Sequence, residues 1–316
     1  GERHPILSYV TFLGILLAQL VYLTCVTLLL IQQRLHEYLL TNLYATMAVI
    51  LAVSLSVSAQ HVRLSLLAYA IGQAVPLIAV VAVLFRLRNQ FPAWLRGSFT
   101  FSAAAFRQLS GYAFSAVAIL IFSKVVSFYV RQWAIKDFGL EAVGLWQALV
   151  KLSGSYEQIF VAIIGSVFFP KLSANIQDKT TTLLFFRRTF LFWIPILFLG
   201  LVLVYFLRKI LLTLLFDESF VGAEALITPQ LIGDFFHLSA YFLAYWLLAE
   251  ARLVTFTILQ VVSAIIYVSA IYLLKPMFGI SVFPLAYAIE SVAYTLLLTA
   301  IHAEKFLPQT KIFQSK

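Results

Sequence analysis

The sequence predicts an all-α polytopic membrane protein of about nine transmembrane helices, and three observations lead there. The chain is 62% hydrophobic and only 11% charged, whereas soluble domains carry roughly a quarter of charged residues. Its mean hydropathy is +0.97. Apolar runs of roughly 20 residues recur along the chain, the length at which a helix rising about 1.5 Å per residue crosses a hydrocarbon core of about 30 Å. Barrel strands would alternate apolar and polar residues in short segments, but runs such as "VAVLF" and "LLLTAI" are apolar on every side.

Taken in order, the first expected span is 6–31, which holds the lone Cys25. With no second cysteine there is no internal disulfide, and Cys25 reads as a small buried hydrophobe. The spans 39–59 and 64–85 are free of charged residues. The pattern then breaks at "RLRNQFPAWLRGSFTFSAAAFRQ", residues 86–108, whose four arginines, proline and glycine read as a cytoplasmic linker. Six further spans follow, at 109–133, 141–169, 185–207, 226–249, 253–273 and 281–301. The resulting domains are a lobe of three spans over 1–85, the linker over 86–108, a six-helix lobe over 109–302 and a cytoplasmic tail over 303–316.

Orientation follows from basic residues in short loops, which are retained on the cytoplasmic side. Arg34, Arg86, Arg88, Arg96, Arg107, Lys171, Lys179, Arg187, Arg188, Arg252, Lys305, Lys311 and Lys316 fall in one alternating set of loops. The other set, with Arg3, Arg63, Arg131, Lys136, Arg208, Lys209 and Lys275, is smaller. The C-terminus is therefore expected in the cytoplasm and the first residue outside. The net charge of +9 is a topology signal and calls for no nucleic-acid partner, although a basic inner surface suits anionic lipid headgroups. An outside start on "GERHP", with no signal sequence before the first span, leads us to expect a missing upstream segment.

No phosphate-binding loop, paired cysteines, His-x-x-x-His spacing or Gly-x-Ser-x-Gly turn occurs. We therefore expect no cofactor and no metal, transport driven by gradients or a partner, and no enzyme. What remains are ionisable groups within spans, each costing roughly 2.5–3.5 kcal/mol at a helix centre unless it faces a cavity or a partner. Asp234, His237, Tyr241 and Tyr245 share one helical face. So do Lys124, Ser127, Phe128 and Arg131 in the fourth span, and Gln147, Lys151, Gly154 and Gln158 in the fifth, with Glu157 on another face. In the ninth, Tyr287, Glu290 and Tyr294 align. Singly, Arg131 and Asp234 read equally well as snorkelling or capping residues, His237 as an interior histidine, and the tyrosines as an interface belt. Together, Lys124, Arg131 and Lys151 point to a cation-lined cavity for an anionic substrate.

The stretches "VGLWQALVKLSGSYEQIF", "FFPKLS" and "QLIGDFFHLSAYFLAYWLLAEA" resemble the Wzx-type flippases of bacterial polysaccharide assembly, which move O-antigen or enterobacterial common antigen units. These belong to the multidrug/oligosaccharidyl-lipid/polysaccharide exporter superfamily. The resemblance runs through most of the chain and implies two six-helix lobes around a central cavity, so that residues 1–85 would be the last three helices of a truncated first lobe. It implies translocation of an undecaprenyl-pyrophosphate-linked oligosaccharide across the bacterial inner membrane by alternating access. It also implies membrane lipids, a polysaccharide polymerase and a chain-length regulator as partners. Trp146, Gln147, Tyr156, Gln158, Asp234 and Tyr241 match the family pattern, while Gly154, His237 and Glu250 depart from its aspartate, basic residue and lysine. On this basis Lys124, Arg131, Gln147, Lys151, Gln158 and Tyr241 are the candidate substrate-binding residues. Asp234 and Glu290 are the candidate carriers of a coupling ion, because a carboxylate in a low-dielectric site can titrate near neutral pH. Two rivals stand beside this reading. One is a multidrug exporter of the same superfamily, which would favour an acidic cavity. The other is a polysaccharide polymerase or ligase, against which the short outer loops such as "RKILLTLLFDESF" argue.

Overall fold

The structure is a computed structural model that describes residues 35–58 and 102–306, with positions 13, 14, 17, 19–23, 25, 26, 29, 81 and 85. Most of the spans expected over 6–31 and 64–85, most of the 86–108 linker and the tail beyond residue 306 lie outside the described residues. The described residues are helical throughout their regular elements and contain no strand. The chain divides into two compact units, Gly1–Phe101 and Ser102–Lys316.

In the first unit, helix α1 spans Leu35–Ser58. Tyr22 and Val26 are buried, and Cys25, Tyr38 and Ala45 pack against them. The Tyr22 hydroxyl donates to Asn42 Oδ1 at 3.4 Å. Thr41 and Asn42 return their own polar groups to the carbonyls one turn back, Glu37 O and Tyr38 O, the usual way to satisfy such side chains in an apolar helix.

The second unit opens with α2, Ala103–Ile163, so that residues 103–108 are helical. A straight helix of 61 residues would be about 90 Å long, three times a bilayer core. Gly139, with φ 80° and ψ 168°, breaks it. Residues on both sides of this glycine line a single cavity, so the second arm folds back along the first. A π-helical turn, Ile164–Phe168, and the short α3, Phe169–Ala174, complete the arm at "FPKLSA". Helix α4, Lys179–Leu215, is capped by the Asp178 carboxylate, which accepts from the amides of Thr180 and Thr181. After a 3₁₀ stretch, Glu218–Leu226, come α5, Ile227–Ala249, and α6, Leu253–Phe278. A turn at Gly279, φ 54°, then leads into α7, Val282–Phe306. Among the described residues four stretches are long and apolar enough to cross a bilayer, 119–174, 179–215, 218–249 and 253–306, the first and last each bent at a glycine.

Helices in lipid gain little from burying apolar surface and associate instead through close packing and interhelical hydrogen bonds. The pairing of α5 with α7 shows both. Gly233, Ala240, Ala244, Ala286 and Ala288 are buried small residues of the two helices, and Thr295 Oγ1 donates across to Phe236 O at 3.0 Å. Aromatic rings fill the rest. Phe242 meets Phe160, Phe168 and Phe190 edge to face at 5.7, 5.0 and 5.7 Å, and Trp146 stacks on Phe283 at 4.4 Å. At one end of the lobe Lys305 grips both oxygens of Glu250 at 2.6 and 2.7 Å and lies over the Trp246 ring. At another, Lys275 pairs with Asp137 and lies over Trp133.

Candidate substrate cavity

The two arms of α2 line, together with α5, α6 and α7, an open cavity of about 330 Å³. Each helix contributes a face with helical spacing. The first arm brings Ser123, Val126, Ser127, Val130 and Arg131, the second Trp146, Gln147, Val150, Ser153 and Glu157. Helix α5 contributes Gln230, Asp234 and His237, α6 contributes Gln260, Ser263, Ala264 and Tyr267, and α7 contributes Tyr287 and Glu290.

Asp234 is the most elaborately held group. It is 3% exposed and accepts from Ser153 Oγ at 2.8 Å, from the Tyr156 hydroxyl, and from Gln230 Nε2 at 3.2 Å. Gln230 and the Tyr156 hydroxyl also donate to Ser153 Oγ, at 3.2 and 3.1 Å. Such a network removes the cost of an unpaired polar group in hydrocarbon, which for a lone buried donor or acceptor is roughly 1–3 kcal/mol. Glu290, 5% exposed, accepts from Ser263 Oγ and, at 3.2 Å, from Ser291 Oγ. Glu157 Oε1 accepts from the Tyr241 hydroxyl, and Gln260 Nε2 donates to the Tyr294 hydroxyl at 3.0 Å.

Two features tie these groups into one site. Tyr287 lies within electrostatic range of Asp234, Glu157 and Glu290 at once. Its ring fits there because residue 233 is glycine: a Cβ on Gly233 would fall 2.5 and 2.7 Å from the ring carbons of Tyr287 and 3.2 Å from Ala288 Cα. His237, its ring centroid 5.1 Å from Tyr241 and 5.6 Å from Tyr287, holds a buried Nδ1 that has no hydrogen-bond partner among the described residues.

Of the residues expected from sequence, Arg131, Gln147, Asp234 and Glu290 line the cavity. Tyr241 reaches it through Glu157. Lys124, Lys151 and Gln158 are exposed and stand outside the lining. On the second arm of α2 the lining follows 146, 150, 153 and 157, together with Gln147, where sequence pointed to 147, 151, 154 and 158. Among the described residues the lining thus holds three carboxylates to one guanidinium, Arg131. Among the described residues no lysine or arginine pairs with those carboxylates. Ser153, Gln230, Gln260, Ser263 and Tyr267 carried no charge to draw attention, and Tyr156 stood out only as a match to the family pattern. Their signal was spacing: Gln230 precedes Asp234 by one helical turn, and 260, 263 and 267 share a face.

Comparison with known proteins agrees with this architecture. Over 182 residues, 57% of the chain and 43% of the relatives' length, the sequence is 25% identical to proteins named lipid III flippase from Escherichia coli (strain K12) and Shigella flexneri. The chain thus matches less than half the length of these curated relatives. No protein-family model matches. Among solved structures, the MATE transporter VcmN of Vibrio cholerae in its bent form superposes with a TM-score of 0.60 at 12% identity, covering 93% of this chain and 78% of that one. The fold is that of a MATE transporter, and the relatives are flippases and transporters, not enzymes. These likenesses, with the apolar spans, support a multi-pass membrane protein.

Proposed function

We propose that the chain belongs to a flippase that carries an undecaprenyl-pyrophosphate-linked oligosaccharide across the bacterial inner membrane by alternating access, with the C-terminus in the cytoplasm. The observation that carries this reading is the polar cavity itself. Three glutamines, four serines, a tryptophan and two tyrosines line a pocket inside an otherwise apolar lobe, and such groups hydrogen-bond sugar hydroxyls and stack on sugar rings. The names of the relatives point the same way. Lys124 and Lys151, exposed on α2, and Arg131 on the lining are the cations available to a pyrophosphate, while Gln147 and Tyr241 serve the sugars and Gln158 the approach to them. Asp234 and Glu290 carry the coupling ion. Both are buried among neutral donors, so a change of protonation breaks no ion pair.

The test is genetic. The chain, alone and extended by the upstream helices that its sequence leads us to expect, is expressed in a strain lacking its own flippase, and surface glycan is scored. Restored glycan that is lost when Lys124, Arg131 and Lys151 are replaced together by neutral residues supports the assignment. Unimpaired flipping in that variant overturns the role of the cations, and transport indifferent to collapsed ion gradients overturns that of Asp234 and Glu290.

One observation favours a second reading. Three carboxylates facing one guanidinium would also suit a small cationic substrate, as in a multidrug exporter of the same fold. Expression that raises tolerance to cationic drugs while leaving surface glycan unchanged would establish it.

A further inference from the structure

We propose that the cavity selects among saccharides by charge, accepting sugars that bear a free amine in preference to sugars that bear a carboxylate; the proposal rests on the flippase reading above. The argument begins with where the charges fall. The interior is shared by Glu157, Asp234 and Glu290, and Tyr287 is within electrostatic range of all three. Every hydrogen bond described for these carboxylates comes from a neutral hydroxyl or amide, and none of the three has a cationic partner among the described residues. The single guanidinium of the lining, Arg131, is itself exposed.

Where they are ionised, carboxylates held in low dielectric favour any cation that enters and oppose any further anion, because Coulomb energies there are several times those in water. An ammonium placed among them gains a charge-assisted hydrogen bond to carboxylates that have no cationic partner among the described residues. A uronic acid meets the same charges with the opposite sign. Hydroxyls and acetamides, being neutral, fall between. The lining supplies what the rest of a sugar needs in the glutamines at 147, 230 and 260 and the Trp146 ring. His237 adds a buried nitrogen, Nδ1, unpartnered among the described residues, on the same wall. The preference thus comes from the interior, whereas the pyrophosphate is served by cations that stand outside it or are themselves exposed.

The experiment is equilibrium binding to the full chain in lipid nanodiscs at low ionic strength. Four probes are compared: chitotetraose, its fully de-N-acetylated form, tetragalacturonate and tetraphenylphosphonium. The amine-bearing tetrasaccharide is expected to bind at least tenfold tighter than chitotetraose, with tetragalacturonate weakest. Glu157→Gln and Glu290→Gln should each shrink the amine-to-neutral ratio severalfold. Because that ratio is taken within one preparation, a smaller folded fraction cancels. Tetragalacturonate binding as tightly as the amine, or a ratio unmoved in both variants, overturns the proposal and leaves the flippase reading standing. Binding of tetraphenylphosphonium without any saccharide overturns both, and a folded preparation that binds none of the four overturns the proposal as well.

Discussion

Gly233→Ala isolates the contact on which the cavity depends. The new methyl group would lie 2.5 and 2.7 Å from two ring carbons of Tyr287 and 3.2 Å from the α7 backbone at Ala288, so either the helices separate or the ring turns away. Separation is an overpacking defect of about 1–3 kcal/mol. Turning the ring away forces it off its present rotamer, at a cost of about 0.5–1.5 kcal/mol. Alanine recovers about 0.5–1 kcal/mol of helix propensity, leaving a net loss of about 1–2 kcal/mol. Gly154→Ala is the matched control, since nothing lies within 4 Å of its Cβ position, and it should be neutral or stabilising by up to about 1 kcal/mol. The assay is reversible unfolding of the chain in mixed micelles titrated with a denaturing detergent. In a double-mutant cycle, adding Tyr287→Ala should remove the penalty of Gly233→Ala, with a coupling of at least about 1 kcal/mol. A Gly233→Ala protein as stable as the parent, or one whose loss persists without the Tyr287 ring, would refute the packing argument.

Three other outcomes are expected. Asp234→Asn replaces an acceptor of several hydroxyl and amide donors with a group that itself donates, and should destabilise by about 1–3 kcal/mol in the same unfolding assay. The Glu250–Lys305 pair is bidentate and its side chains are 22% and 28% exposed. A cycle of Glu250→Gln and Lys305→Met should return a coupling near the upper end of the ~0–1 kcal/mol found for surface pairs. Asp178 accepts from the side chain and amide of Thr181, which holds its carboxyl below the usual carboxylate range. A depressed folded value stabilises above the unfolded value and is lost as pH falls through the folded one. Acidification through and below about pH 4 should therefore fray the start of α4, read as faster hydrogen exchange at Thr180 and Thr181 once intrinsic rates are corrected.

Much of the fold was legible because it follows from composition: long apolar runs cannot be anything but helices in lipid, and two of their breaks fall at glycines, Gly139 and Gly279. The carboxylates of the cavity were legible for the same reason. Asp234 and Glu290 are out of place in hydrocarbon, and the sequence shows that without knowing what surrounds them. Their partners were harder to see, since Ser153, Gln230, Ser263 and Tyr267 are unremarkable in any helix until packing brings them face to face. Gly233 was hidden too, because a glycine announces only that something comes near and not which ring.

The cations show where reading by charge fails in physical terms. A stripe at 147, 151, 154 and 158 and one at 146, 150, 153 and 157 differ by a single residue, or about 100° of rotation. The charged stripe looked like the interior because charge in a span asks for a partner. A lysine has another solution, since its long stem lets the ammonium leave the apolar surface while the methylenes stay. Glutamate has a shorter reach and stays where donors are. In the folded lobe Lys151 is exposed and Glu157 lines the cavity, the sorting by side-chain length that this difference requires. The interior charge of such a lobe is therefore better read from its short acids than from its long bases.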